Sequence, residues 1–261
     1  MKKAAAKTKN GKSKADDGTK RPLLREQVAA LLAELERLGS KTRREEMATR
    51  YGIHTEHAFG VAMADMQKIA RRIGRDHALA AALWETDCYE ARMLAALIDE
   101  PEKVTSTQMD RWAGDFDNWA ICDTACMHLF DRTPHVFGKV AKWAKARGEF
   151  VRRAAFALLA SKAIHDKRGP NEPFASCLPL IENAAPDERN FVKKSVNWAL
   201  RAIGERNAER NAERNAELNV AAIAVAQRLA ASDAASARWV GRDALRQLKR
   251  PAVLQRLAKR G

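Results

Sequence analysis

Residues that stop helices recur along this chain at intervals just long enough for one or two helices: Gly39, Gly74, Pro101, Pro134, Pro170, Pro186 and Pro251. Between them, apolar side chains return at three and four positions, the period of a helix that buries one face. The stretch LLREQVAALLAELERLG, residues 23–39, follows that period and stops at a glycine. The same reading predicts helices over 42–50, 62–73, 77–86, 89–99, 106–115, 118–130, 135–147, 149–165, 174–184, 188–203, 217–231, 236–249 and 252–259. With 13 glycines and 8 prolines in 261 residues, and Ala, Leu, Arg and Glu abundant over β-branched types, nothing in the chain favours a sheet. The expected fold class is all-α.

Many helices joined by short turns make either a globular bundle or a stacked solenoid, and an internal period separates the two. YEAR (89–92), FVRR (150–153), FVKK (191–194) and WVGR (239–242) each set an aromatic residue three positions before a base at the start of a predicted helix. With Trp119 included, the aromatic positions 89, 119, 150, 191 and 239 step by 30, 31, 41 and 48 residues, near the length of HEAT-like helix pairs. The last step contains the tandem ERNAERNAERNAE, 205–217, and removing two of its four-residue copies returns the step to 40. This tandem reads as a charged, solvated insertion. The predicted architecture is a curved α-solenoid of HEAT-like repeats over 23–261, preceded by a disordered Lys-rich tail over 1–22.

The formal charge is +14, of which the tail, with eight Lys/Arg against two Asp, supplies six and the body eight. Such an excess favours partners with regularly spaced negative charge, nucleic acid first and an anionic membrane second. In a solenoid, equivalent positions of successive repeats align, so Arg92, Arg153, Lys194 and Arg242 would line a basic concave groove that follows a phosphate backbone. No run is apolar enough for a membrane span and the tail lacks the apolar core of a secretory signal, so a cytoplasmic protein is expected. The four cysteines have no paired ligand spacing. Cys122 and Cys126, one turn apart, read as small core residues, and no metal site is implied.

One repeat breaks the row of bases. In DNWAICDTAC, 117–126, the position three after Trp119 is Cys122, and an acid, Asp123, follows it on the same helix face as the indole. A carboxylate among phosphate-binding bases repels the ligand. Either Trp119 is a core residue and Asp123 pairs locally with an arginine, or the two together stabilise positive charge that develops on a bound sugar. Trp84, Trp112 and Trp143 read as core, and His128 and His165 show no triad spacing.

FGVAMADMQKIARRIG, ALWETDCYEARMLAALI, NWAICD, FVRRAAFALLASKAI, FVKKSVNWALRAIGERN and ARWVGRDALRQL, in this order over about 45–250, resemble signatures of the AlkD-like DNA alkylation repair family, alkylpurine DNA glycosylases built from HEAT-like repeats. The resemblance implies hydrolysis of the N-glycosidic bond of cationic N7-alkylguanine and N3-alkyladenine in duplex DNA, with the damaged base left in the stack. It implies catalytic roles for Trp119, Asp123, Arg153 and Trp198, with Arg153 holding a phosphate and Trp198 meeting the sugar, and a backbone contact from Arg201, which joins Arg92, Lys194 and Arg242 of the aligned row as expected DNA contacts. Asn118 and Ala120 depart from the family, which often carries a second Trp and another Asp there. No cofactor and no metal are implied, and a monomer suffices to grip duplex DNA. Lys162, Lys193 and Lys194 have no spacing that marks a Schiff-base nucleophile, so a monofunctional hydrolase is expected. The competing expectation is a noncatalytic HEAT-repeat module that binds nucleic acid or acts as a scaffold.

Overall fold

The computed structural model describes residues 17–206 and 212–258, and every regular element among them is helical. The chain runs α1 (Asp17–Leu38), α2 (Lys41–Thr49), α3 (Met63–Ile73), α4 (His77–Trp84), α5 (Tyr89–Ile98), α6 (Ser106–Gly114) and α7 (Trp119–His128). After a 3-10 turn (Phe130–Arg132) come α8 (Val136–Trp143), α9 (Glu149–His165), α10 (Glu172–Ala175) and α11 (Leu178–Ala184). The last four are α12 (Asn190–Gly204), α13 (Ala212–Ala230), α14 (Ala235–Leu248) and α15 (Pro251–Ala258).

These helices form two layers. The inner layer is a stack in which α5 packs on α3 and α7, α9 on α7 and α12, and α12 on α14. Small residues let the inner helices approach closely: Ala91, Ala95, Cys122, Cys126, Ala157 and Ala199 are all fully buried. The two cysteine thiols of α7 donate to the Phe150 and Ala154 carbonyls of α9, which fits their reading as small core residues. Gly241 shows the same closeness further on, since a Cβ there would lie 2.3 Å from the Ala230 nitrogen. Beneath the inner stack, Trp84 and Trp112 lie parallel with centroids 3.9 Å apart, and Phe130 and Trp143 continue the row. The three tryptophans expected in the core are there, each almost fully buried.

Three expectations are corrected. The first helix begins at Asp17, six residues before Leu23, so the tail ends earlier than expected; residues 1–16 lie outside the described residues. Lys20 and Arg21 favour helix, and α1 runs through Pro22 even though that residue has no N–H to add to the ladder. The helix predicted over 174–184 is two helices, because Pro179 has no N–H to give and its ring crowds the carbonyl four residues back, at Ala175, where α10 ends. The tandem insertion is not merely solvated. Residues 207–211 lie outside the described residues, but Arg206 is 1% exposed, and it donates to Asn171 Oδ1 at 2.9 Å, Gly169 O at 2.7 Å and the Asp166 carbonyl. Asn215 Oδ1 accepts from Asn171 Nδ2. Both ends of the tandem thus tie down the loop after α9, and the fixed fork of the guanidinium explains why an arginine can be buried among carbonyls.

Candidate catalytic and nucleic-acid-binding site

The site is built around the first two turns of α7. Asn118 caps this helix: its Oδ1 accepts from the Ala120 and Ile121 N–H groups, both at 3.0 Å, and so satisfies two donors that a helix start leaves over. The residue that departs from the family pattern is therefore what starts the helix at Trp119. The indole is half-buried, and its N–H donates to the Tyr51 carbonyl at 2.9 Å, from the loop after α2. One turn later Asp123 faces the same side with its carboxylate partly accessible.

Arg153, on the second turn of α9, meets that carboxylate with both arms: Nε reaches Oδ1 at 2.9 Å and Nη2 reaches Oδ2 at 2.6 Å. Its Nη1 donates to the Phe191 carbonyl of α12 at 2.7 Å. The guanidinium therefore clamps three successive inner helices, with only 8% of its side chain exposed. Burial pushes the Asp123 carboxyl up from the ordinary aspartate range, against the pull of Arg153. Burial alone would lower the Arg153 pKa, but the adjacent carboxylate outweighs it and keeps the guanidinium charged. Arg153, expected to grip a phosphate, is instead engaged here by the Asp123 carboxylate. A planar fork and a carboxylate match at two points, and this fork is already filled and turned inward.

The remaining expected residues divide. Trp198 lines a second cavity of about 400 Å3 together with Arg201, while Trp119 and Asp123 line another of about 440 Å3. Arg201 bonds Gln247 Oε1 and lies 3.9 Å from Asp243. Arg92 turns toward the outer layer, where it pairs with Asp87 at 2.7 Å and covers the Trp84 ring at 5.4 Å. Lys194 and Arg242 are exposed. Of the expected row of four bases, two are exposed and two, Arg92 and Arg153, are paired with Asp87 and Asp123. Its register also slips: Tyr89 and Trp119 open their helices, Phe150 and Phe191 are second residues, and Trp239 is the fifth residue of α14.

Two residues at the site were not singled out by sequence. Tyr51 closes the outer rim of the cavity and is 44% exposed; a lone aromatic before Gly52 carries no distinguishing pattern. Glu90 lies inside YEAR, where attention falls on the base instead. It is fully buried and accepts from three consecutive backbone donors, Phe59 at 3.0 Å, Gly60 at 2.7 Å and Val61 at 3.2 Å. It thereby fixes the wall opposite Trp119. Gly60 must be glycine: its φ is +80°, and a Cβ would lie 2.3 Å from the Ser40 carbonyl.

The family model described as "DNA alkylation repair enzyme" matches residues 31–248. No curated protein sequence matches the chain. Among solved structures, one with 20% sequence identity and a TM-score of 0.66 covers 77% of this chain and 82% of its own. Its description is "a new family of proteins related to the HEAT-like repeat DNA glycosylases with affinity for branched DNA structures". At that identity the likeness speaks to the fold, which is the HEAT-like solenoid. The family match spans most of the helical stack, including every residue of the Trp119–Asp123–Arg153 cluster, and the chain belongs to the DNA alkylation repair enzyme family.

Proposed function

We propose that the protein is a monofunctional DNA glycosylase that removes cationic N7-alkylguanine and N3-alkyladenine from duplex DNA. The observation that carries this reading is the carboxylate of Asp123, fixed by Arg153 beside the half-buried face of Trp119 at the mouth of a cavity. Alkylation at N3 or N7 makes the purine a cation, so its leaving group is already activated. As the C1′–N bond breaks, its electron pair returns to the base, which leaves neutral, and the positive charge moves to the deoxyribose. Asp123 stabilises that charge and takes a proton from the water that adds to C1′. Trp119 offers its π face to the same charge. Arg153 is a positioning residue in this scheme, with Asp123 as its ligand in place of a phosphate. Lys194, Arg201 and Arg242 contact the backbone of the duplex, and Trp198 meets it away from the reacting sugar. A monomer suffices for each of these contacts.

The test is release of 7-methylguanine and 3-methyladenine from methylated duplex DNA. The native protein is expected to release both, and Asp123→Asn to slow release by about 10²–10³-fold while DNA binding persists. No release by the native protein overturns the reading. A second reading, a nucleic-acid-binding module without excision, is favoured by one observation: both oxygens of Asp123 are engaged by Arg153, as in a purely structural ion pair. The neighbour described by its affinity for branched DNA points the same way. Under that reading Asp123→Asn binds DNA as the native protein does and there is no excision to lose.

A further inference from the structure

Six aromatic rings among the described residues carry a cation. In four of them the fold holds that cation. Arg92 and Lys139 lie over the buried Trp84 and Trp143 and pair with Asp87 and Asp110. Arg153, over Phe191, is bound to Asp123, and Arg206, over Phe174, donates to backbone carbonyls. The other two rings differ in both respects. Tyr51 and Trp239 are 44% and 41% exposed, the two exposed side chains among the described Phe, Tyr and Trp residues. Arg50 sits 5.4 Å from the centre of the first ring and Lys193 5.2 Å from the second, and neither cation forms an ion pair with a described residue. Contacts join the two units. A Cβ on Gly52, the residue after Tyr51, would lie 3.8 Å from the Phe191 ring, and Phe191 precedes Lys193 by two positions on α12. Lys194, next to Lys193, and Arg242, three residues after Trp239, are exposed and extend the positive charge along this strip.

An exposed ring beneath a cation that no carboxylate neutralises has the two parts one nucleotide needs: a π face for the base and a positive charge for its phosphate. In a duplex each base is covered on both faces by its neighbours, so such a ring finds nothing to stack on. In an unpaired strand the faces are free. We infer that the strip from Trp239 and Lys193 across Phe191 to Tyr51 and Arg50 binds an unpaired stretch of DNA by base stacking. At one end it meets the excision site, where the Tyr51 carbonyl accepts the Trp119 N–H, so the strand it holds lies beside the duplex. The ligand that fits is a duplex with a single-stranded gap or overhang. At the Trp239 end the strip uses neither Trp119 nor Asp123, and it does not depend on the excision reading.

Fluorescence anisotropy with two labelled strands of about twelve nucleotides tests this, one of oligo-dT and one of abasic deoxyribose phosphates with the same number of charges. The native protein is expected to bind oligo-dT about five- to tenfold more tightly, because only that strand offers bases to stack. Trp239→Ala should lose most of this preference while its affinity for the abasic strand stays as it was, and Trp239→Phe, which keeps a ring, should restore it. Lys193→Ala should lower the log–log salt slope for oligo-dT by about 0.7, the share of one phosphate. Trp239 is exposed, so its replacement leaves the core intact, and an unchanged melting temperature checks that. Equal native affinity for the two strands, an equal loss of both in Trp239→Ala, no difference between Trp239→Ala and Trp239→Phe, or an unchanged slope in Lys193→Ala overturns the proposal. Base release from methylated duplex by the native protein, measured alongside, keeps the two readings apart. Release without a preference for bases removes the strip and leaves excision, whereas the preference without release does the reverse.

Discussion

At the scale of single residues, Asp123 stands out in the sequence because it breaks a row of bases, but its partner does not. That Arg153 would turn inward depends on α7 and α9 lying side by side, which spacing along the chain does not encode. The pairing has measurable consequences. Removing Arg153 takes away the attraction that opposes burial, so the acid limb of the pH–rate profile of excision is expected to move to higher pH in Arg153→Ala. A guanidinium that served only as a phosphate grip would weaken binding and leave that limb in place. Arg153→Ala also leaves a buried carboxylate without its partner, a loss of about 3–5 kcal/mol in denaturant unfolding. Arg153→Lys is expected to recover little of it, since a single ammonium cannot meet both carboxylate oxygens and the Phe191 carbonyl. Burial holds the folded-state pKa of Asp123 above its unfolded value. This group therefore favours folding most at low pH, and that contribution is lost as pH rises through the folded pKa.

Among the elements, helix positions were legible because turn residues and apolar period agree nearly everywhere, and the one split helix was marked by a proline already visible at 179. What could not be read was which face of each helix would be inner. Arg92 fits the row by spacing, yet it pairs with Asp87 on the far side, and Trp239 enters its helix as the fifth residue. Glu90 is the clearest case, a charged residue inside a quoted motif whose role depends on a loop 30 residues upstream. Its three contacts from backbone N–H groups fix the cavity wall, so Glu90→Gln, which trades an acceptor oxygen for a donor, is expected to cost about 1–3 kcal/mol. Amide exchange should quicken at Phe59, Gly60 and Val61 before it does in the inner helices, and unchanged exchange there would remove Glu90 from the site. Asp110 ties α6 to α8 in a similar way. Burial pushes its carboxyl up, but hydrogen bonds from Lys139, Lys142 and Trp143 bring it down to about 2. Its folded pKa is thus below the unfolded one, and it adds stability above the unfolded value that is lost as pH falls toward 2. With a third of the side chain exposed, that contribution is about 1–2 kcal/mol, measurable as a shallower acid unfolding curve in Asp110→Asn.

For the whole molecule, charge indicated the partner class but overstated the binding surface. Of the bases expected to line one groove, Arg153 is committed to the partly buried carboxylate of Asp123 and Arg92 to the exposed carboxylate of Asp87, while Lys194 and Arg242 stand exposed on α12 and α14. A net charge of +14 attracts DNA at a distance, whereas only cations that reach phosphates release counterions. Measured affinity for undamaged duplex should therefore fall steeply with salt, and Lys194→Ala combined with Arg242→Ala should reduce the log–log slope by about 0.9 for each phosphate no longer neutralised. Arg92→Ala serves as the contrast: its partners lie in the outer layer, so it should lower stability and leave the slope unchanged. A slope that drops equally for all three would mean that Arg92 leaves Asp87 when DNA arrives and that the aligned row forms only in the complex. That outcome would return Arg92 to the basic groove in the bound state and make its pairing with Asp87 a resting arrangement that the duplex must break.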